Sequence, residues 1–364
     1  MTFLSKNPIP SAGDTMPSKK VHSARFGERS PQALFCVLIL ALGLSICVSL
    51  TMGRATLPLW EVINALCEGA LKEPPYASKA ETLIYVIRLP RTLLVVLCGG
   101  GLAIGGAALQ GALRNPLVGP QTIGVLSGAG FGGTLGLLMS ISAFLTTGFA
   151  FIGGISAMLI VLWIGRSDRQ SSPLMLVLSG VVIGALFAAA TTILQYTADA
   201  ERQLPSLVYW LMGSFVSSTA SNLQLATGPI LLGSLSLIWM APKLNALSSG
   251  DDEAYSLGLQ VELQRVLILL AVSLICAAVV AVAGIIAWIG LVVPHIARSL
   301  IGPDHRKLLP ISWLIGGGML LIIDILCRTV TETELPISAL TAIIGAPFFI
   351  QILRRSHGLG WASN

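Results

Sequence analysis

Long apolar runs alternate with short polar joints along most of this chain. A helix needs about 20 mostly apolar residues to cross a bilayer. Stretches at 32–51, 91–110, 121–140, 143–165, 173–196, 222–241, 263–283, 285–300, 308–329 and 336–353 meet or approach that length. The eighth is short and barely separated from the seventh. A further piece, Pro205 to Phe215, is too brief to cross and reads as a surface segment after the fifth span. The pattern predicts an all-α fold: a polytopic membrane helical bundle of about ten transmembrane helices. It forms one unit over 31–356, between a polar N-terminal extension at 1–30 and a tail at 357–364. The extension carries Lys19, Lys20, Arg25 and Arg29 but no apolar core. No small-residue cleavage site follows the first run, so that run reads as a retained helix rather than a signal peptide.

Composition agrees. The 364 residues are 54% hydrophobic and only 11% charged, where a soluble domain carries about a quarter charged residues. Charge then sets orientation, because short cytoplasmic loops collect Lys and Arg. With the N-terminus inside, the outer side keeps Arg54, Lys72, Lys79, Arg88, Arg91, Arg202 and Arg328, and every other basic residue falls inside. Both termini are therefore expected in the cytoplasm. No basic stripe interleaves with aromatics, so nucleic acid is excluded as a partner. The six Cys form no C-x-x-C and read as small buried hydrophobes.

Glycine spacing adds a packing signal. Gly124, Gly128, Gly132 and Gly136 recur every four residues, as do Gly101 and Gly105, and Gly180 and Gly184. Small faces let helix backbones approach closely in lipid. Ionisable groups are rare within the spans. The main exception is Asp324, four residues before Arg328, a spacing that suits a local ion pair. The chain has no G-x-x-x-x-G-K-[ST], no H-E-x-x-H and no G-x-S-x-G, so it offers no nucleotide loop or catalytic set. No metal site or cofactor is expected, and His295 reads as a helix-end residue. If the chain supports active transport, the energy comes from another subunit.

One joint stands out. SSGDDEAYSLG, residues 248–258, places Asp251, Asp252 and Glu253 in a row on the expected cytoplasmic side. It reads as a short helix that Ser249 or Asp251 can cap, with acids at the positive end of its dipole. Gly258 stops it, and Ala254 and Leu257 form a small apolar stripe. Two readings fit: a capped, solvated loop helix, or a helix that docks in a groove of a soluble partner.

Five stretches together carry a resemblance: IRLPRTLLVVLCGGGLAIGGAALQGALRNPLVGP (87–120), LPSLVYWLMGSF (204–215), SGDDEAYSLGLQVELQR (249–265), GIIAWIGLVVPHIARSLIGPDHRKLLP (284–310) and ELPISALTAIIGAPFFIQILRR (334–355). The chain resembles the permease subunit of type II ABC importers for iron–siderophore complexes, haem and cobalamin, the FecCD-like family. The resemblance implies a bacterial inner-membrane, multi-pass, non-enzymatic permease. Its implied partners are two cytoplasmic ABC ATPase subunits, a second permease copy or paralogue, a periplasmic or lipid-anchored substrate-binding protein, and a metal-chelate substrate. It makes Asp251, Asp252, Glu253, Ala254, Leu257 and Gly258 the ATPase-coupling helix, although Tyr255 stands where the family often has a basic residue. Arg88, Arg91 and Arg328 would receive acids of the binding protein, work that the planar guanidinium fork suits. Asn115, Pro116, Leu117, Ser172, Pro173 and Leu174 would lie at the cytoplasmic gate. The expected cargo is an iron(III)–siderophore-type chelate, with haem, cobalamin or an oxyanion as alternatives within the family. An ion-coupled secondary carrier is the rival outside it.

Overall fold

The structure is a computed structural model in which residues 31–53, 57–69, 78–140, 142–165 and 172–357 are described. The extension at 1–30 and the tail from 358 onward lie outside the described residues, as do Arg54, Lys72, Arg166 and Arg169. The first part of the chain forms α1 (Pro31–Thr51), α2 (Leu59–Gly69), α3 (Lys79–Thr82), α4 (Leu89–Ala112), α5 (Val125–Leu138) and α6 (Ala143–Gly165). The middle forms α7 (Pro173–Thr197), α8 (Leu204–Leu211), α9 (Ala220–Trp239), α10 (Ala241–Ser249) and α11 (Asp251–Ser256). The last part forms α12 (Val261–Ala283), α13 (Ile289–Ile301), α14 (His305–Thr329) and α15 (Ile337–His357).

Each expected span has a helix. Six are long and apolar enough to cross a membrane, and a seventh crossing is made if α9 and α10, bent by 58° at their junction, count as one. The shorter apolar helices are α5, α13 and the Ile337–Gln351 portion of α15. The bundle is built around α4, almost wholly buried and packed on α14, α9, α12 and α13. On its other side α5 packs on α6 and α7. By contrast α1 and much of α7 and α9 present Leu40, Leu186, Ile193 and Leu232 outward, as helices facing lipid or another subunit do.

Two expected spans are interrupted. The third begins as a 3₁₀ turn at Pro120–Ile123, breaks at Gly124 with φ +76°, and only then becomes α5. The seventh and eighth are separated by residues 284–288, where Gly284 and Trp288 both have left-handed φ, +71° and +70°. Backbone freed inside a membrane protein must find partners there. Here Ser214 N–H donates to Ala283 O at 2.9 Å, and the Ser338 hydroxyl donates to Ile285 O at 2.8 Å. At the start of α14, Asp304 accepts from Arg306 N–H at 3.0 Å and from the Asn245 amide at 2.7 Å. The Asn245 bond, ahead of the backbone bond and the neighbouring Lys307 and Arg306 charges, holds the Asp304 carboxyl below the ordinary aspartate range.

Glycine sets the helix spacing. A methyl built on Gly106 would stand 1.7 Å from Gly290 O, and one on Gly99 would stand 2.4 Å from Gly316 O. Gly128, Gly132 and Gly136 put α5 against α6: the same methyl would meet Gly153 O at 2.5 Å, Phe149 O at 2.1 Å and Thr146 Cα at 2.9 Å. Gly101 faces Ile230 and Ile275 at 2.8 Å, and Gly105 faces Val272 at 3.3 Å. Gly124 departs from the expected face: it precedes the helix and lies 3.0 Å from Gly180 O by the same measure. Gly106→Ala meets backbone that cannot rotate away, so it should cost about 1–3 kcal/mol or more by overpacking. Gly148→Ala, with nothing within 4 Å, should stay within about 0.5 kcal/mol of the parent. Thermal unfolding of the two variants in detergent checks the difference; equal midpoints would contradict glycine-limited spacing.

Candidate functional site

Charged groups gather at the two ends of α4, which spans about 36 Å at 1.5 Å per residue. Arg88, Arg91 and Arg328 gather at its start, and Asp251, Arg114 and Arg265 at its end.

At the outer end, a π-helical turn over Leu83–Arg88 runs directly into α4. Arg88 lies under the end of α1, donating from Nη1 to the carbonyl oxygens of Leu50 and Thr51. Arg91 sits between two carboxylates. Its Nη2 and Nε reach Asp324 at 2.7 and 3.1 Å, while Nη1 and Nη2 hold Glu334 side by side at 3.0 and 2.8 Å. Such bidentate charge-assisted pairs are the strong ones. Arg328 donates from Nη2 to the Ser49 carbonyl at 2.9 Å and hydroxyl at 2.7 Å, and Ser49 is bonded to Thr92 at 2.8 Å. The expected Asp324–Arg328 pair is present but long, 3.5 Å, against 2.7 Å for Asp324–Arg91. The principal partner of Asp324 is 233 positions away in sequence, beyond any local spacing rule.

The three arginines expected to receive a binding protein are held within this chain. Arg88, Arg91 and Arg328 are only 4%, 7% and 6% exposed, and each guanidinium already donates to groups of this chain. They form an internal network joining α1, α4 and α14. Sequence reasoning gave no role to Glu334, whose only signal was its place as the first residue of the ELPIS stretch.

At the inner end the acidic joint divides. Asp251 Oδ1 takes Arg265 Nη2 at 2.7 Å and Arg114 Nη2 at 3.1 Å. Arg265 is 2% exposed, and its Nε donates to Ala112 O in the last turn of α4 at 3.3 Å. Asp252 and Glu253 are exposed, as are Tyr255 and Leu257. The expected caps are absent: Gly250 occupies the N-cap, Ser249 donates back to Asn245 O, and Asp251 is engaged by the two arginines. The apolar stripe is also split, since Ala254 is fully buried in the core and only Leu257 faces out. Gly258, at φ +77°, ends the helix with its N–H on Tyr255 O.

The residues expected at the inner gate lie close to this joint. Asn115 turns the chain after α4 by accepting Leu117 N–H at 2.9 Å, and Pro116 O contacts His295 Nε2 at 2.9 Å. His295 is thus within α13 rather than at its end. Ser172 and Pro173 share a cavity of about 620 Å³ with Arg114, Asp251, Asp252 and Glu253. Leu117 and Leu174 are exposed. Among the described residues no three His, Cys, Asp or Glu side chains converge as metal ligands. A second cavity, about 530 Å³, lies at the far end of α5 and α12, lined by Leu137, Tyr209, Trp210, Ser214 and Val282 among others.

Comparison with known proteins places these features. The profile of the FecCD transport family matches residues 39–355. The molybdate import system permease of Haemophilus influenzae is 38% identical over 321 residues, 88% of this chain and 94% of that one. The ferric enterobactin transport permease of Escherichia coli is 36% identical over 322 residues, 87% and 94% of the two chains. A solved inward-facing structure, assigned to the metal-chelate type of ABC transporter, superposes with a TM-score of 0.80 at 36% identity. It covers 89% of this chain and 99% of its own.

The outer network makes a graded prediction. Asp324→Asn leaves Arg91 and Arg328 without their buried carboxylate and should cost about 3–5 kcal/mol. Glu334→Gln removes a more exposed carboxylate (side chain 15% against 1%) and should cost clearly less. Thermal unfolding in detergent ranks the two, and the reverse order would contradict the network.

Proposed function

Because the chain belongs to the FecCD transport family, and is thereby an ABC importer permease of the cell membrane, we propose that it carries an iron(III)–siderophore-type chelate inward, driven by separate ATPase subunits docked on α11. The observation that carries the driving step is the outward face of α11. Asp252, Glu253, Tyr255 and Leu257 stand exposed on a short helix set off from the spans, next to the turn that holds the gate residues. Acidic groups around an apolar projection suit a soluble partner's groove, with charge fixing register.

In this reading two ATPases bind two permease chains, this one and a second copy or close relative. Nucleotide-driven movement of α11 opens and closes Asn115–Leu117 and Ser172–Leu174 as an inner gate, a form of alternating access. A binding protein delivers cargo to the outer face. Its acids reach Arg91 only by replacing Glu334, the most exposed carboxylate of the network, so docking there is an exchange of partners. The mixed apolar and hydroxyl lining of the 530 Å³ cavity supports a cargo whose metal is already wrapped in a chelator. A bare cation would ask for charged ligands.

Molybdate is the second reading, supported by the Haemophilus relative at 38% identity. Calorimetric titration of the neighbouring binding protein decides: we expect ferric siderophore to bind, and binding of molybdate alone would replace the chelate reading. For the driving step, Asp252→Lys combined with Glu253→Lys should reduce co-purification of the partner ATPase by about tenfold, the effect of losing roughly 1.4 kcal/mol. The variant should still reach the membrane at parental level. Undiminished co-purification would remove α11 as the docking element.

A further inference from the structure

Asp251 was expected to face a partner, and the structure turns it inward to two arginines from different parts of the chain. Arg265 sits in the second turn of α12 and is the largest fully buried side chain. One N–H of its fork goes to Asp251 and another to Ala112 O, a carbonyl in the last turn of α4. Carbonyls there have no helical partner and lie at the negative end of the helix dipole. A single planar cation therefore joins α11, α12 and α4. Arg114 approaches Asp251 from the other side, immediately after α4, with a left-handed φ of +48° that is costly for a side-chain-bearing residue. The next three residues are Asn115, Pro116 and Leu117, and Pro116 is tied onward to α13 through His295.

We propose that Asp251 is the hub of a two-armed strut that carries movement of α11 into the bundle, through Arg265 to the end of α4 and through Arg114 to the turn bearing the inner gate. The proposal rests on the reading of α11 as the ATPase-facing helix. Pulling Asp251 away from Arg265 alone would break the 2.7 Å pair of a guanidinium that is 2% exposed at the edge of the 620 Å³ cavity. The low-energy response is for α4 and α12 to follow Asp251. Asp252 and Glu253 receive the partner and Asp251 passes the motion on.

The test uses the chain assembled with its ATPase subunits. Spin labels are placed by Leu117→Cys and Leu174→Cys after removal of the exposed Cys36, Cys47 and Cys67. Label separation is measured without nucleotide and with ATP trapped by vanadate. Asp251→Asn and Arg265→Lys keep the size of the groups but lose the pair or its fork. Either should shift the nucleotide-driven equilibrium of label separations by about 2- to 30-fold, the range of measured couplings. A static brace would lower thermal stability and leave the shift intact. A parental shift in an assembled variant therefore overturns the strut. If neither variant assembles, Arg114→Gln decides, because that side chain is partly exposed and its loss should not block folding. A reduced shift supports the second arm, and an unchanged one overturns the proposal. If the unsubstituted chain fails to hold the ATPases, or its labels ignore nucleotide, the reading of α11 itself fails, and the strut with it.

Discussion

A guanidinium enclosed by apolar helices must find a carboxylate or a carbonyl, and this requirement organises both ends of α4. Removing a charge from water costs several kcal/mol after relaxation, so Arg88, Arg91, Arg265 and Arg328 are stable where they lie only because each is met. At the outer end the partners are Asp324, Glu334 and the terminal carbonyls of α1. At the inner end they are Asp251 and the terminal carbonyl of α4. Both sets use the same device: helix ends leave carbonyls unsatisfied, and an arginine fork can serve one of them while also gripping an acid. Helices that would otherwise share only apolar contacts are thereby fastened at defined registers.

Between those ends, glycine removes the freedom to slide. Gly99 against Gly316 and Gly106 against Gly290 bring α4 into backbone contact with α14 and α13. Helices at that distance move as a body or not at all, since interiors packed to that density switch between arrangements rather than deform smoothly. A force applied at Ala112 would then be felt along α4. Next to it is the turn at 113–119, where Arg114 adopts a left-handed conformation and α5 has not yet begun.

Much of this was legible in the sequence. Apolar run length located a helix at every expected span, and the resemblance carried by five stretches named the family that the profile match shows. Local rules did less well where a tertiary partner intervened. The i, i+4 spacing paired Asp324 with Arg328, but Arg91, distant in the chain, takes the shorter contact. Helix-cap preference assigned Asp251 or Ser249 to the start of α11, yet Gly250 holds that position because two arginines draw Asp251 inward. The charge map and the resemblance placed Arg88, Arg91 and Arg328 at an outer mouth without indicating that each also bonds neighbours in the same chain. Breaks at Gly124 and at 284–288 left only a weak trace, because hydropathy averages over the few residues at which a helix unwinds.

The three adjacent acids show why composition alone could not settle their role. Equal in charge and consecutive in sequence, they are separated by the turn of a helix, which sends neighbouring side chains about 100° apart. One step along α11 therefore changes an acid from an internal anchor to an external contact. Ala254 and Leu257 divide the same way, one closed in the core and the other open. A short helix with one anchored face and one free face cannot be displaced by a partner without moving what it is anchored to. That asymmetry, more than the density of charge, is what supports the proposed docking role of α11. It also accounts for a buried Arg265 at the foot of a membrane span, where an apolar residue would pack more cheaply but transmit nothing.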